Sequence, residues 1–227
     1  MKKNIFLALD FNSLDKALDI TDKTKDYIAG VKIGLELYNV IGLDGLKNFK
    51  KFKLPIFLDI KMFDISNQVT KAINVIKKND AIKYLTIHSL GSLEMLKAAK
   101  NAASDSNLEF LAVSILTSWN ENDLKKVGIK NNIQEQVKLL IKLATEAKMS
   151  GVIASAQDIE IARKISKEIK IFCPGIRGET DKQDQKRTVS YKEFNKIADD
   201  KCFAVIGRPI YEGDPVKNLK RIIQSAK

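Results

Sequence analysis

A closed barrel of eight parallel strands, each followed by a helix, is the fold this sequence predicts: an α/β (β/α)8, or TIM, barrel filling residues 1–227 as one domain. Three observations carry that expectation. Short β-type runs alternate with longer amphipathic stretches along the whole chain, and strict alternation of this kind requires a parallel sheet with helical crossovers. The β-type runs are apolar almost throughout rather than at every second residue, as strands covered on both faces must be. The first run ends Leu9-Asp10-Phe11-Asn12-Ser13 without a Gly-x-Gly-x-x-Gly turn, which disfavours a doubly wound open sheet.

Taken in order, strands are expected at 4–10 (NIFLALD), 30–35 (GVKIGL), 56–61 (IFLDIK), 84–89 (YLTIHS), 109–116 (EFLAVSIL), 151–155 (GVIAS), 170–174 (KIFCP) and 203–207 (FAVIG). Helical periodicity marks 13–28, 67–78, 91–103, 133–148, 157–168, 190–198 and 215–226. The last opens with Asp214 as N-cap and Pro215 in the first turn, then sets Val216, Leu219, Ile222 and Ile223 on one face. The longest interval, 117–150, has room for a short helical stretch and a full one, so it is not a domain boundary.

The chain carries 39 Lys and Arg against 28 Asp and Glu, a net charge of +11. The lysines are scattered along helical stretches rather than gathered with aromatics on one face, so solvated helix surfaces are expected and a nucleic-acid partner is not. A positive field still favours a phosphorylated ligand. Cys173 and Cys202 lack metal-ligand spacing and sit in apolar runs, as buried free thiols of a reducing compartment would. The apolar stretch before Asp10 is too short for a signal peptide, and no segment is long enough to span a membrane; a soluble, cytoplasmic enzyme is expected.

Barrel active sites gather at the carboxyl ends of the strands. Polar residues fall at those ends here: Asp10, Lys32, Asp59 with Lys61, His88, Thr117 with Ser118, Ser155, Arg177 and Arg208. The third run is the most telling, because Pro55-Ile-Phe-Leu-Asp-Ile-Lys-Met-Phe-Asp64 interrupts a buried strand with an acid, a base and another acid. Strand alternation puts Asp59 and Lys61 on one face. Unpaired buried charge is costly, so such groups persist only as a mutually compensating set, and opposite charges concentrated at a strand end point to electrostatic chemistry.

Asp59-x-Lys61-x-x-Asp64, preceded by Phe57-Leu58, resembles the signature of the orotidine 5′-phosphate decarboxylases. Ala8-Leu9-Asp10, Val31-Lys32-Ile33-Gly34, Leu116-Thr117-Ser118, Pro174-Gly175-Ile176-Arg177, Asp184-Gln185-x-Arg187 and Ile206-Gly207-Arg208-Pro209-Ile210 match that family in order and spacing, across almost the whole chain. The resemblance implies removal of carbon dioxide from C6 of the pyrimidine of orotidine 5′-phosphate to give uridine 5′-phosphate, the last step of UMP synthesis. It implies neither metal nor organic cofactor. By resemblance Lys61 stabilises and then protonates the C6 carbanion, Asp59 lies by the departing carboxylate, and Lys32 and Asp64 complete a charged network. Asp64 is implied to reach the site of a partner subunit in a homodimer. Asp10 and Lys32 match ribose contacts, Thr117 and Ser118 match contacts to the pyrimidine, and Arg208 with Gly207 matches the phosphate site.

Residues 176–189 are polar without an apolar period and read as a lid with Arg177 at its base; by resemblance, Gln185 matches a phosphate contact carried on that lid. The sequence departs from the commoner pattern at Phe63, Ser66 and Gln68, where histidine, proline and a substrate-contacting threonine are usual; Gln68 retains hydrogen-bonding capacity. His88 is expected to be a packed structural residue, and Trp119 a loop or interface anchor. The rival reading is a magnesium-dependent hexulose-phosphate synthase or keto-gulonate-phosphate decarboxylase of the same superfamily. That chemistry needs a further carboxylate near the end of the second strand, for which Glu36 is the candidate.

Overall fold

In a computed structural model that describes residues 4–177 and 187–225, eight strands close on one another in sequence order. They are β1 (Ile5–Ala8), β2 (Gly30–Gly34), β3 (Ile56–Met62), β4 (Ile82–His88), β5 (Glu109–Val113), β6 (Gly151–Ile153), β7 (Lys170–Cys173) and β8 (Cys202–Ile206). Every neighbouring pair is parallel, and β8 returns to β1 with Ala204 opposite Ile5. All eight predicted strands are present, several of them shorter at the carboxyl end, where the chain has already turned into the loops of the mouth.

The helices wrap the outside as α1 (Leu14–Thr24), α2 (Leu35–Gly45), α3 (Ser66–Ile76), α4 (Leu93–Ala102), α5 (Glu121–Lys126), α6 (Ile133–Glu146), α7 (Ile159–Ile165), α8 (Tyr191–Ile197), α9 (Arg208–Tyr211) and α10 (Pro215–Gln224). Their starts are written in capping residues. Asn132 with Glu135 and Ser190 with Glu193 form reciprocal caps on α6 and α8, and Asp214 caps α10 ahead of Pro215. Two helices were not anticipated. Helix α2 contains Gly42 at φ 61° and ends on Gly45, and it leaves Leu35 and Val40 exposed, so no single apolar face marks it. Helix α9 is only four residues long.

Two cores result. The larger lies between sheet and helices and takes the outward residues of each strand, such as Leu7, Ile33, Leu58, Leu85 and Ile171. The smaller fills the barrel itself: Phe6, Phe57, Tyr84 and Phe172, with Phe203 against them, at ring-centroid distances of 4.8–6.2 Å. Below this plug Lys170 Nζ meets Glu109 Oε2 at 2.5 Å, closing the amino end of the barrel. The plug is what leaves a cleft only at the carboxyl end. Cys173 and Cys202 are buried and free, as expected for thiols in outward strand positions. Among the described residues no helix is long and apolar enough to cross a membrane.

Candidate active site

A cleft of about 450 Å³ opens at the carboxyl ends of the strands. Its floor is apolar, built from Ala8, Phe57, Val113, Ile153 and Val205. On that floor stand three members of the predicted charged set. Lys32 Nζ lies 3.0 Å from Asp10 Oδ1 and 3.6 Å from Asp59 Oδ2, and Lys61 Nζ lies 3.0 Å from Asp59 Oδ1. The charges therefore alternate in space as Asp10, Lys32, Asp59, Lys61. Near an apolar, poorly hydrated floor, each such contact is stronger than it would be in water.

Asp59 is the pivot. It is 9% exposed and accepts from Lys61 and from Thr86 Oγ1, the latter at 3.0 Å. Burial works against its charge, but Lys32, Lys61 and the Thr86 hydroxyl outweigh it and hold the carboxyl below its ordinary range. The same balance applies in reverse at Lys32: burial disfavours the ammonium, while Asp59 and Asp10 over-compensate and raise its pKa. Gly34 leaves space for this arrangement. A Cβ at that position would stand 2.9 Å from Lys32 Nζ and 3.2 Å from Asp10 Oδ1.

Lys61 reaches the cleft by a route that strict strand alternation does not describe. The β3–β4 register shifts between Leu58, opposite Leu85, and Met62, opposite Ile87. Four residues of β3 thus advance against two of β4, a bulge that bends the strand end and re-aims its side chains. Lys61 takes φ 48°, unusual for a residue with a Cβ, and its amide donates to Thr86 Oγ1 at 2.8 Å. Thr86 therefore fixes both the backbone of Lys61 and the carboxylate beside it. It was missed at the sequence level, although it shares the inward parity of His88 on β4. Lys61 retains a third of its side-chain exposure, against 12% for Lys32 and Asp59, so its ammonium is the cation of the set most open to a ligand.

Thr117, Ser118, Arg177, Gly207 and Arg208 also line the cleft, on the loops after β5, β7 and β8. Gly175, which follows β7 and lines the cleft, takes φ 82°, a conformation that glycine adopts without strain. Tyr211, on α9, lines the cleft as well and packs tilted against Phe11, ring centroids 4.5 Å apart; burial pushes its hydroxyl up to about 12.

Two predicted residues do not reach the cleft of their own chain. Asp64 is exposed, and its Oδ1 accepts from the amide of Ile65 at 2.7 Å. Gln68 is exposed in the first turns of α3. Gln185, and most of the predicted lid, lie outside the described residues. His88 behaves as a structural residue: its Nδ1 accepts from Leu90 N at 3.3 Å, and its ring lies 5.8 Å from that of Phe63. Burial and the nearby Lys61 hold it below its ordinary pKa. Glu36 is exposed and does not line the cleft. Trp119 is half-buried against the outer core.

A barrel whose mouth combines an apolar floor, a compensated Lys/Asp array and arginines on the last loops has the make-up of a (β/α)8 enzyme. The chain matches the family described as "Orotidine 5'-phosphate decarboxylase / HUMPS family" over residues 3–222, and it belongs to that family. It is 37% identical over 224 residues to the orotidine 5′-phosphate decarboxylase of Wolbachia pipientis subsp. Culex pipiens, covering 97% of each protein. It is 38% identical over 224 residues to that of Ehrlichia chaffeensis, covering 97% of this chain and 96% of the relative. The crystal structure of orotidine 5′-phosphate decarboxylase from Lactobacillus acidophilus superposes with a TM-score of 0.83 at 28% identity, covering 100% of both chains.

Proposed function

We propose that the chain decarboxylates orotidine 5′-phosphate to uridine 5′-phosphate without a metal or organic cofactor, the closing step of UMP synthesis, with Lys61 as the group that makes the reaction possible. The observation that carries this reading is Lys61 Nζ held 3.0 Å from a buried Asp59 while facing an apolar-floored cleft. Loss of carbon dioxide leaves an electron pair at C6 that the ring does not delocalise. A fixed ammonium at that position stabilises the pair as it develops and then supplies the proton. Asp59, held ionised, orients Lys61 and stands beside the carboxylate that leaves; Lys32 locks Asp59 from the other side. Asp10 and Lys32 suit ribose hydroxyls, and Thr117 and Ser118 suit the pyrimidine edge. Arg208, directly after β8 and opening the short helix α9, suits the phosphate, where barrels of this type commonly bind one.

The named relatives favour this reading over the magnesium-dependent one, and Glu36, the extra carboxylate the latter needs, does not line the cleft. Protein treated with EDTA is expected to consume orotidine 5′-phosphate at the untreated rate, followed by loss of the substrate's ultraviolet absorbance. Activity that disappears with chelation and returns with magnesium would move the chain to the rival chemistry.

A homodimer with Asp64 shared between subunits belongs to the same proposal. Asp64 is flanked by Phe63 and Ile65, which are 63% and 67% exposed, and Leu90 is exposed nearby. Such clustered large apolar side chains are the kind that subunit contacts cover. In a twofold dimer, mixing inactive Lys61→Ala and Asp64→Ala proteins and allowing exchange leaves one intact site in each mixed dimer, so about a quarter of wild-type activity should return. No recovery after demonstrated exchange would place Asp64 outside the neighbouring site.

A further inference from the structure

Arg187 is 7% exposed yet lies outside the lining of the cleft. Its Nη2 is ion-paired with Asp158, which is 1% exposed, and among the described residues its Nη1 is buried with no hydrogen-bond partner. Asp158 Oδ2 also accepts from Ser155 N at 3.1 Å, and Ser155 Oγ donates to Arg187 O at 3.4 Å. The backbone amide of Arg187 donates to Thr117 O at 3.2 Å. Two residues on, Val189 N donates to Gly175 O at 3.1 Å and Val189 O accepts from Arg177 N at 3.0 Å. Arg187, on the loop after β7, thus ties that loop to the one after β6 through its side chain and to the one after β5 through its backbone amide, and Thr117, Gly175 and Arg177 on the loops after β5 and β7 line the cleft.

Stability does not explain the pair. Apolar residues of similar volume usually serve as well as a buried ion pair, or better. Burial here outweighs the guanidinium beside it, so the Asp158 carboxyl titrates above its ordinary value. An arginine nitrogen without a partner among the described residues adds to the cost. What the pair does supply is direction, since a planar guanidinium held by a carboxylate has a narrow choice of geometries.

We propose that Arg187 and Asp158 are positioning residues, whose ion pair sets the loops after β5 and β7 so that Thr117 and Arg177 meet the bound nucleotide in one arrangement. This rests on the reading above that the cleft takes orotidine 5′-phosphate. The test compares Arg187→Met, Asp158→Leu and the double variant. Each single substitution strands a buried group and lowers Tm, whereas the double variant regains it. In that stability-matched double variant KM for orotidine 5′-phosphate is expected to stay at least about tenfold above wild type with kcat within about twofold. Amide exchange at Arg177, position 187 and Val189, measured without substrate, should be faster than in wild type. A double variant with wild-type KM, or with wild-type exchange at those amides, overturns the proposal. Should the double variant not fold, Asp158→Asn carries the same expectation, and unchanged KM and exchange there overturn it equally. Wild-type protein that turns over no orotidine 5′-phosphate defeats the functional reading instead, and the exchange rates alone then decide whether the pair orders the loops.

Discussion

Lys61→Met is expected to slow decarboxylation of orotidine 5′-phosphate by at least about 10⁴-fold, because it removes a general acid and a preorganised charge together. Each of those contributions alone is commonly worth about 10²-fold or more. Methionine keeps most of the volume and none of the charge. Asp59 is not stranded by the change: Lys32 Nζ remains 3.6 Å away and the Thr86 hydroxyl 3.0 Å away. The backbone of residue 61 keeps its anchor, since its amide bonds to Thr86 rather than to its own side chain. Tm should therefore move by no more than about 3 °C, the equivalent of roughly 1 kcal/mol in a domain of this size. Affinity for uridine 5′-phosphate should persist, since the proposal assigns the ribose and phosphate groups to other residues. A large fall in Tm would assign Lys61 to stability instead.

The second large effect is expected at the phosphate. Arg208→Ala should lower kcat/KM for orotidine 5′-phosphate on the order of 10²-fold or more, about 3 kcal/mol, as the loss of one partner in a charge-assisted pair commonly does. The same substitution should change turnover of orotidine, which lacks the phosphate, by less than about threefold. The contrast matters more than either number. Arg208, after β8, and Lys61, on β3, line the same cleft, so on the proposed assignment phosphate binding energy would contribute to the reaction only by holding the ring over the Lys61 array. Equal losses on both substrates would mean that Arg208 shapes the mouth rather than grips the anion.

The barrel was legible because its strands are written in a different register from its helices. Runs such as Ile56-Phe-Leu and Phe203-Ala-Val-Ile are apolar on both faces, and only a sheet filled inside and covered outside needs that. The charged exceptions, Lys32, Asp59 and Lys61, were legible for the opposite reason: their cost in a strand demanded compensation, and the structure supplies it within 3.6 Å. Features that depend on a neighbouring strand left no mark. The bulge at Asp59–Lys61 is defined by its register against β4, and Thr86 resembles any β-branched strand residue until that register is known. Helix α2 was hidden by Gly42 and Gly45, and α9 by its brevity. The Arg187–Asp158 pair joins residues 29 apart in the chain, which no local pattern links. Asp64 and Gln68 were chosen by motif spacing, and they are exposed and do not line the cleft of their own chain.

The account rests on an ammonium that stabilises a carbanion at C6, and that claim can be read without any carbon dioxide leaving. By microscopic reversibility the same carbanion forms when C6 of bound uridine 5′-phosphate gives up its proton. In heavy water the wild-type protein should therefore wash deuterium into C6, followed by the loss of that proton's NMR signal, while Lys61→Met, with the nucleotide bound, should not. Exchange at equal rates in both proteins would contradict the assignment of Lys61.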